Sequence, residues 1–290
     1  MRLGILPPYR SGVVADPIWM TEFAQLAESV GFESLYLVEH AAVAAGYADG
    51  YPYSADGRMP LPEDCPIPDP LELTAYLAGR TETLRFSTGV LVGPNHNPVV
   101  LAKRLATLDA LSAGRVDAGF GVGWMREEVE STGADFSTRG RRTTELLVAL
   151  RTLLDDDPAS FSGEFFEFSD LRVHPRPSGR IRLDVGGHAE AAALRAGRVG
   201  DGLHPLGLDP ETLEGRWELA RATASGAGRN PDALELSLTM ALWKLDADAM
   251  ETARAAGASR IICSTATSDS GVRPSEMEKS MRAAVELAQA

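Results

Sequence analysis

The sequence predicts an α/β fold, and within that class a (β/α)8 TIM barrel, from three observations. Short apolar runs rich in β-branched residues alternate with longer segments of helical period. Eight such pairs can be counted, and the short connection from each helix to the next strand favours a closed parallel barrel over an open sheet. The chain has 290 residues, a length natural for a barrel with insertions.

The first four strand–helix pairs have clear boundary signals. Asp16 is placed to cap the first helix, Pro17 suits its first position, and Gly31 is a C-terminal stop. Asp69 caps the second helix in the same way. The predicted strands are Leu3–Leu6, Ser34–Val38, Arg85–Val92 and Val116–Val122. The predicted helices are Pro17–Val30, Pro70–Gly79, Pro98–Leu111 and Arg139–Leu154.

The second half of the chain continues the alternation. Asp209 is the predicted cap of the second helix in this half. The predicted strands are Leu183–Val185, Gly202–Leu206, Leu234–Leu242 and Arg260–Ser264. The predicted helices are Glu190–Val199, Pro210–Ser225, Ala247–Ala256 and Pro274–Ala288. The last strand comes where it can pair with the first strand and close the barrel.

Two segments depart from the repeat. Residues 41–69, rich in Gly, Pro, Tyr and Asp, follow the second strand, where a long loop of a barrel often forms a lid over the active site. A plain surface loop is the alternative. Residues 161–168 are predicted to form a small hairpin outside the barrel. No stretch divides the chain, so we expect residues 1–290 to form a single barrel domain.

Composition narrows the class of function. The net charge of −13 argues against nucleic acid or an anionic membrane as the main partner, but leaves room for a small phosphate-bearing molecule. Cys65 and Cys263 are too few for a disulfide framework or a zinc site, and the five His show no ligand spacing, so no metal is expected. Without a signal-peptide pattern or a long apolar run, we expect a soluble, cytoplasmic protein.

The ends of the second and third strands carry candidate functional residues. The second strand ends in Glu39 and His40, and because side chains alternate along a strand only one of them can face the barrel mouth. His40 is a candidate for proton transfer, with a purely structural histidine as the alternative. At the third strand end, Gly89 between Thr88 and Val90 indicates a bulge or the close approach of a flat ligand.

Glycines mark the next two strand ends. The run from Gly119 to Gly123 superficially resembles a dinucleotide fingerprint, but it lacks the following strand with an acidic residue that this motif requires. We therefore expect Gly121 and Gly123 to clear space at the barrel mouth, with Trp124 as a candidate wall. Gly186 and Gly187 precede a helix, where exposed backbone N–H groups suit a phosphate; a plain tight turn is the alternative.

Two other polar groups are interpreted as structural. Asp201 lies just before the sixth strand, in a turn that a barrel has on the face opposite its mouth. Arg139, Arg141 and Arg142 open a helix and by default form a solvated face. Cys263 is expected to be a small buried hydrophobic residue.

Taken together, these motifs resemble the bacterial luciferase-like monooxygenase superfamily, and within it the actinobacterial branch of F420-dependent oxidoreductases. The resemblance runs through most of the chain in the family's order. It is carried by LYLVEH at 35–40, DPL at 69–71, STGVL at 87–91, NPVVLAK at 97–103, ATLDALSAGR at 106–115, GVGW at 121–124, RGRR at 139–142, VGG at 185–187 and GDG at 200–202.

The resemblance implies a (β/α)8 barrel and a role for each matching residue. His40 would contact the reactive ring of a flavin or of the deazaflavin F420. The peptide bond between Gly89 and Val90, in the Thr88–Val90 tip, would be cis and would bulge against the ring. Gly121, Gly123 and Trp124 would line the pocket. Gly186 and Gly187 would bind the cofactor phosphate.

The chain departs from the family pattern at two places. Several F420-dependent relatives have a glutamate near the position of Trp124 as proton donor; here proton transfer would pass to His40 or to the substrate. The segment that leads into the fifth strand, Arg176–Arg182, is shorter than the Pro-rich segment usual in the family, which affects the expected geometry of the phosphate-binding loop.

The resulting hypothesis is hydride transfer between F420 and a small organic substrate. One alternative is an FMN-dependent monooxygenase that uses O2, and another is a flavin- or deazaflavin-binding protein without catalysis. FMN ends in a more highly charged phosphate that favours a nearby arginine, and the next basic residue after Gly187 is Arg195, which mildly favours F420. The resemblance also leads us to expect a homodimer.

Overall fold

The computed structural model describes residues 1–290 and contains a closed barrel of parallel strands. The strands, in chain order, are β1 (Arg2–Leu6), β2 (Ser34–Leu37), β3 (Arg85–Thr88), β4 (Leu91–Val92), β5 (Ala118–Gly121), β6 (Ala159–Ser162), β7 (Glu167–Leu171), β8 (Leu183–Gly186), β9 (Gly202–His204), β10 (Glu235–Ala241) and β11 (Arg260–Ser264). Around the barrel the order is β3, β2, β1, β11, β10, β9, β8, β5 and β4. A parallel bridge between Phe86 and Val116 closes the ring, which confirms the predicted fold class.

Helices surround the barrel. They are α1 (Pro17–Val30), α2 (Pro70–Ala78), α3 (Pro98–Ser112), α4 (Arg126–Ser131), α5 (Arg139–Asp155), α6 (Glu190–Val199), α7 (Pro210–Gly226), α8 (Ala247–Ala255) and α9 (Pro274–Gln289). The side chain of Asp16 accepts hydrogen bonds from the first turn of α1, and Gly31 ends that helix with a φ of +100°. Asp69 and Asp209 cap α2 and α7 as predicted. No helix is both long enough and apolar enough to cross a membrane.

The predicted third strand, Arg85–Val92, forms two separate strands, and the break lies at Gly89, where the sequence indicated a bulge or the close approach of a ligand. β3 pairs with β2, whereas β4 pairs with β5. Between β3 and β4 the peptide bond from Gly89 to Val90 is cis, the form expected from the resemblance. The interruption lies at the carboxyl end of the strand, where it faces the mouth of the barrel.

The barrel interior is layered. At the amino-terminal end Arg260, which is 3% exposed, donates hydrogen bonds to Glu33, Glu235 and Ser237. Tyr36, 4% exposed, lies above this ionic layer. Active sites of barrels lie at the opposite face, so we assign this ionic layer to stability and not to catalysis.

The apolar core lies between the strands and the helices. It is continuous and includes Phe23, Phe86 and Phe120, each almost fully buried. Cys263 is buried within it, as expected. Burial in these apolar surroundings raises the pKa of the Cys263 thiol to about 12, so this residue is a packing group and not a nucleophile.

The two predicted insertions are present. β6 and β7 form an antiparallel hairpin outside the barrel, slightly longer than the predicted 161–168. The segment after β2 contains no helix or strand before α2. One helix was missed: α4, a six-residue helix of mostly polar residues, follows β5.

A groove opens on the outside of the barrel between α7 and α8. Its volume is about 640 Å³, and its apolar lining includes Leu213 and Trp217 of α7 and Leu238 and Met240 of β10. The side of α8 that faces the groove carries mainly small residues, so the outer face of β10 is only partly covered.

Candidate active site at the barrel mouth

The ring of His40 lies within hydrogen-bonding distance of a buried glutamate. Its Nδ1 lies 2.8 Å from Oε2 of Glu128, whose side chain is 1% exposed. The other carboxylate oxygen of Glu128 accepts the backbone N–H of Ala41 at 2.7 Å and lies 3.4 Å from Nδ2 of Asn95. Because Glu128 occupies Nδ1, it fixes the orientation of the ring and leaves Nε2 as the nitrogen available to a ligand.

Glu39 and His40 follow the end of β2 at Leu37, and their side chains contact different partners. Glu39 accepts the backbone N–H of Val92 at 2.5 Å, and both its oxygens lie 3.0 Å from Nε2 of His96. Glu39 therefore ties the end of β2 to the turn after β4. The glutamate is structural, and His40 remains the candidate for chemistry.

Val90 stands at the centre of the mouth, surrounded by glycines. A Cβ added to Gly121 or to Gly186 would lie 2.7 Å from a methyl carbon of Val90, and one added to Gly119 would lie 3.4 Å away. Any side chain on these strand ends would therefore displace Val90 or meet it. The glycines leave room for the interruption of the third strand, and Val90 keeps part of its own surface accessible.

The loop after β2 crosses the mouth. Tyr47 and Tyr51 contact Trp124 edge-on, with ring centroids 5.1 and 5.2 Å away, and the ring of His40 lies 6.0 Å from the same tryptophan. Further along the loop, the ring of Tyr53 lies 5.1 Å from that of His188, beyond β8. The loop after β2 thus covers the mouth between the end of β5 and the end of β8, which is the position expected of a lid.

Gly187 differs from its expected role. Its N–H donates to the carbonyl oxygen of His204, so this group is not free for a phosphate. Gly187 has a φ of +124°, which turns the chain into α6, and no side chain caps the first turn of that helix. The free N–H groups at this end of the barrel therefore belong to the start of α6 and not to Gly187.

The arginine that contacts the loop between β8 and α6 is Arg216 and not Arg195. Arg195 is buried and donates to Thr144 Oγ1 and to the carbonyl oxygen of Gly140, so it is turned towards α5. Arg216 of α7 lies at the loop instead: its Nε is 3.3 Å from the carbonyl oxygen of His188, and its Nη1 is 3.2 Å from Oε1 of Glu190. The sequence argument counted only the distance along the chain after Gly187, whereas α7 folds back against α6 and brings Arg216 to this loop.

The solvated face expected for the arginine cluster is wrong for two of its members. Arg139 is half-buried, donates to the carbonyl oxygen of Gly123 at 3.2 Å, and stacks on Phe136. Arg142 is also half-buried and donates to the carbonyl oxygen of Pro94. Only Arg141 is exposed. Arg139 and Arg142 hold the loops of the mouth together by donating to backbone carbonyl oxygens of those loops.

Asp201 is structural, as predicted. Its carboxylate lies 2.6 Å from Nη2 of Arg151 and 2.8 Å from Nη2 of Arg180, and it accepts the backbone N–H of Leu183. The charges of these arginines hold the pKa of Asp201 below its usual range despite the opposing effect of burial. This cluster lies at the face opposite the mouth.

Two further groups at the mouth were not identified from the sequence. One is Glu128, which lies on the missed helix α4. The other is His204 at the end of β9, whose Nε2 lies 2.8 Å from Oγ1 of Thr239 on β10. Its position at a strand end is the one signal that would have singled it out.

Comparison with known proteins identifies the family. Residues 1–287 match the family model described as luciferase-like monooxygenase, and the chain belongs to this family. It is 34% identical over 201 residues to an uncharacterised protein of Mycobacterium tuberculosis, covering 67% of this chain and 69% of that protein. It is 30% identical over 207 residues to the FMNH2-dependent dimethylsulfone monooxygenase of Pseudomonas fluorescens, covering 70% of this chain and 52% of that protein.

Solved structures share the fold. A long-chain alkane monooxygenase superposes with a TM-score of 0.77 at 15% identity, over all of this chain and 92% of its own. An F420-dependent secondary alcohol dehydrogenase, solved with an F420–acetone adduct, superposes with a TM-score of 0.76 at 18% identity, over 98% of both chains. The chain thus shares both the family and the fold of luciferase-like monooxygenases, and the proteins that it resembles include one named as FMNH2-dependent and one named as F420-dependent.

The mouth suits a flat cofactor ring. Val90 projects from the interrupted strand without competing side chains on β5 or β8, His40 presents one free nitrogen beside Trp124, and the uncapped start of α6 offers N–H groups to an anion. The residues present therefore fit a flavin or deazaflavin with a phosphate-bearing side chain.

Proposed function

We propose that the protein is an oxidoreductase that transfers a hydride between coenzyme F420 and a small organic substrate. The observation that carries the choice of F420 is the charge of the phosphate loop. The guanidinium of Arg216 there is already paired with Glu190. A site whose cation is partly neutralised suits the single charge of the F420 phosphodiester better than the terminal phosphate of FMN.

The mouth residues have separate tasks in this proposal. Val90 and the Gly89–Val90 bulge support one face of the ring, with Thr88 held in place by its hydrogen bonds to Gly119. The bound deazaflavin supplies the two-electron hydride chemistry, and the protein supplies orientation and electrostatics. His40, oriented by Glu128, holds or moves a proton at Nε2.

The loop after β2 excludes water from the reaction in this proposal. Tyr47, 3% exposed, packs with Met59 and Met125 beneath the loop. Arg58 holds the loop together by donating to the carbonyl oxygen of Tyr47 and pairing with Asp49 and Glu63. The loop is therefore a packed cover, and substrate entry requires it to move as a unit.

An FMN-dependent monooxygenase is the second candidate. It is supported by the 30% identity to the dimethylsulfone monooxygenase, whose name states its dependence on FMNH2. The match covers about half of that protein.

Titration of the purified protein with F420 and with FMN, followed by the fluorescence of Trp124, distinguishes the candidates. We expect saturable quenching by F420, and loss of that quenching in Trp124→Phe. Trp243→Phe, which removes an exposed tryptophan in the turn that follows β10, is the matched control and retains the response. Tight binding of FMN without binding of F420 contradicts the proposal. Binding of either cofactor without turnover of any substrate identifies a carrier instead.

A further inference from the structure

The floor of the barrel mouth carries a polar pair that the proposed reaction has not used. In one layer of the barrel interior, Tyr36 and Ser237 are buried, at 4% and 3% exposure. One layer nearer the mouth, Gly89, His204 and Thr239 each retain partial access to solvent. The boundary between the two layers defines the depth to which a ligand can enter, and His204 lies at that boundary.

His204 is placed against the bulge of the third strand. A Cβ added to Gly89 would lie 3.8 Å from Cε1 of His204, and 3.2 Å from Cδ1 of Tyr36. The backbone position of His204 is fixed by pairing with Gly186 in β8. The ring therefore lies in the same layer as the Gly89–Val90 bulge, on the β9 side of the mouth and across from His40.

One nitrogen of this ring is engaged and the other makes no hydrogen bond with the protein. Nε2 lies 2.8 Å from the hydroxyl of Thr239. A threonine hydroxyl both donates and accepts, so the neutral ring can carry its proton on either nitrogen. Nδ1 can therefore donate to a carbonyl oxygen or accept from a hydroxyl group.

The floor of the mouth has no free positive charge. Burial, with a smaller effect of Arg260, lowers the pKa of His204 to about 4, so the ring is neutral near pH 7. Arg260 lies in the ionic layer below and is paired with Glu33 and Glu235. A carboxylate or phosphate placed at Nδ1 would lack a counter-charge in a desolvated site, which is costly.

We propose that His204 and Thr239 form a substrate-binding position for one uncharged oxygen, the carbonyl or hydroxyl oxygen of a neutral organic molecule. The inference rests on the proposed function, because a carbonyl and its alcohol are the two forms that hydride transfer interconverts. The aromatic rings of Tyr51, Tyr53 and Trp124 above the floor favour an apolar remainder of the substrate.

The test uses three probes of one shape: cyclohexanone, cyclohexanol and cyclohexanecarboxylate. The ring-nitrogen NMR signals of His204 are recorded on the protein labelled with 15N-histidine, with and without bound cofactor, near pH 7.5. The signals are assigned by their absence in His204→Phe. His174→Phe, which removes an exposed histidine, is the matched control and leaves them in place.

We expect the ketone and the alcohol to shift the Nδ1 signal saturably and in opposite directions, because one accepts and the other donates. We expect the carboxylate to bind at least about tenfold more weakly, from the absence of a counter-charge. In Thr239→Val the ring loses its partner and the response falls, whereas Thr239→Ser restores it. Equal binding of the carboxylate, or an unchanged Nδ1 signal at saturating ketone, overturns the inference.

The outcomes separate this inference from the proposed function. If F420 and FMN both fail to bind but cyclohexanone shifts Nδ1 in the free protein, the binding position stands and the cofactor proposal fails. If F420 binds and the neutral probes leave Nδ1 unchanged, the cofactor proposal stands and the role of His204 is wrong.

Discussion

Glu128 connects helix α4 to the residue that the family resemblance assigns to catalysis. Its carboxylate, almost completely buried, contacts His40, the backbone of Ala41 and the side chain of Asn95. A buried carboxylate with three polar partners is expensive to disturb, because each partner would lose its own hydrogen bond. This residue therefore holds the orientation of the His40 ring rather than contacting a ligand.

We expect Glu128→Gln to slow hydride transfer by about 10- to 100-fold, because an amide does not support positive charge on the His40 ring. F420 affinity should change little, since Glu128 does not reach the ring of the cofactor in our proposal. Stopped-flow rates and fluorescence titration measure the two effects. Glu130→Gln, an exposed glutamate paired with Arg126, is the control and keeps the parent rate.

His204 makes stability depend on pH. Its pKa is lowered by burial to about 4, below its unfolded value, so the unfolded chain binds the proton more readily between those values. The contribution of His204 is therefore complete above its unfolded pKa and is lost as the pH falls towards 4. The full loss is about 3 kcal/mol at the limit set by this shift.

Substitution of His204 by asparagine isolates this effect. The asparagine side chain would retain a hydrogen-bonding amide but would not titrate, so we expect the destabilisation between pH 7 and pH 5 to be smaller in His204→Asn than in the parent protein. Urea unfolding at both pH values measures the difference. A parallel pH dependence in the two proteins would contradict the burial of a neutral His204.

At the scale of elements, the sequence predicted helices better than strand ends. The boundaries of α1 and α6 agree with the prediction to the residue, because Asp16, Pro17 and Gly31 act locally at α1. Gly89 indicated an irregularity in the third strand, but the change of partner from β2 to β5 across the break depends on long-range pairing that the local pattern does not contain. Helix α4 was missed because six mostly polar residues show no helical periodicity.

The candidate site also contains residues that the local sequence pattern could identify and residues that only long-range contacts reveal. His40, Gly89 and Trp124 could be selected because strand ends and glycine patterns are visible in sequence. Glu128 could not, since its contact with His40 joins residues 88 positions apart. Arg216 was missed for the same reason: it reaches the loop after β8 from a neighbouring helix.

Two glycine substitutions test how tightly the mouth elements are packed. In Gly121→Ala the new Cβ would meet Val90 at 2.7 Å, so we expect a loss of about 1–3 kcal/mol in unfolding free energy. In Gly215→Ala, within α7, the Cβ enters open space, so we expect a gain of up to about 1 kcal/mol. Denaturant unfolding measures both, and equal effects would contradict the packing around Val90.

At the scale of the whole molecule, the net charge of the protein repels the proposed cofactor. The chain carries a net charge of −13, and the proposed cofactor F420 carries a negatively charged phosphodiester. Long-range repulsion must therefore be overcome locally, by the start of α6 and by Arg216, while salt screens the repulsion over a Debye length of about 8 Å at physiological ionic strength.

We expect the association rate of F420 to rise as sodium chloride is increased from low to physiological concentration, because screening acts on the repulsion between net charges. Stopped-flow fluorescence measures the rate. A rate that falls with salt would show that a positive surface steers the cofactor, in conflict with the acidic composition.

The central claim is that the barrel mouth around Val90 holds a deazaflavin ring. A crystal structure of the protein with F420 tests it most directly. We expect the ring against Val90, with Nε2 of His40 at its edge and the phosphodiester at the start of α6. F420 bound elsewhere, such as in the groove between α7 and α8 beside Trp217, would contradict the account.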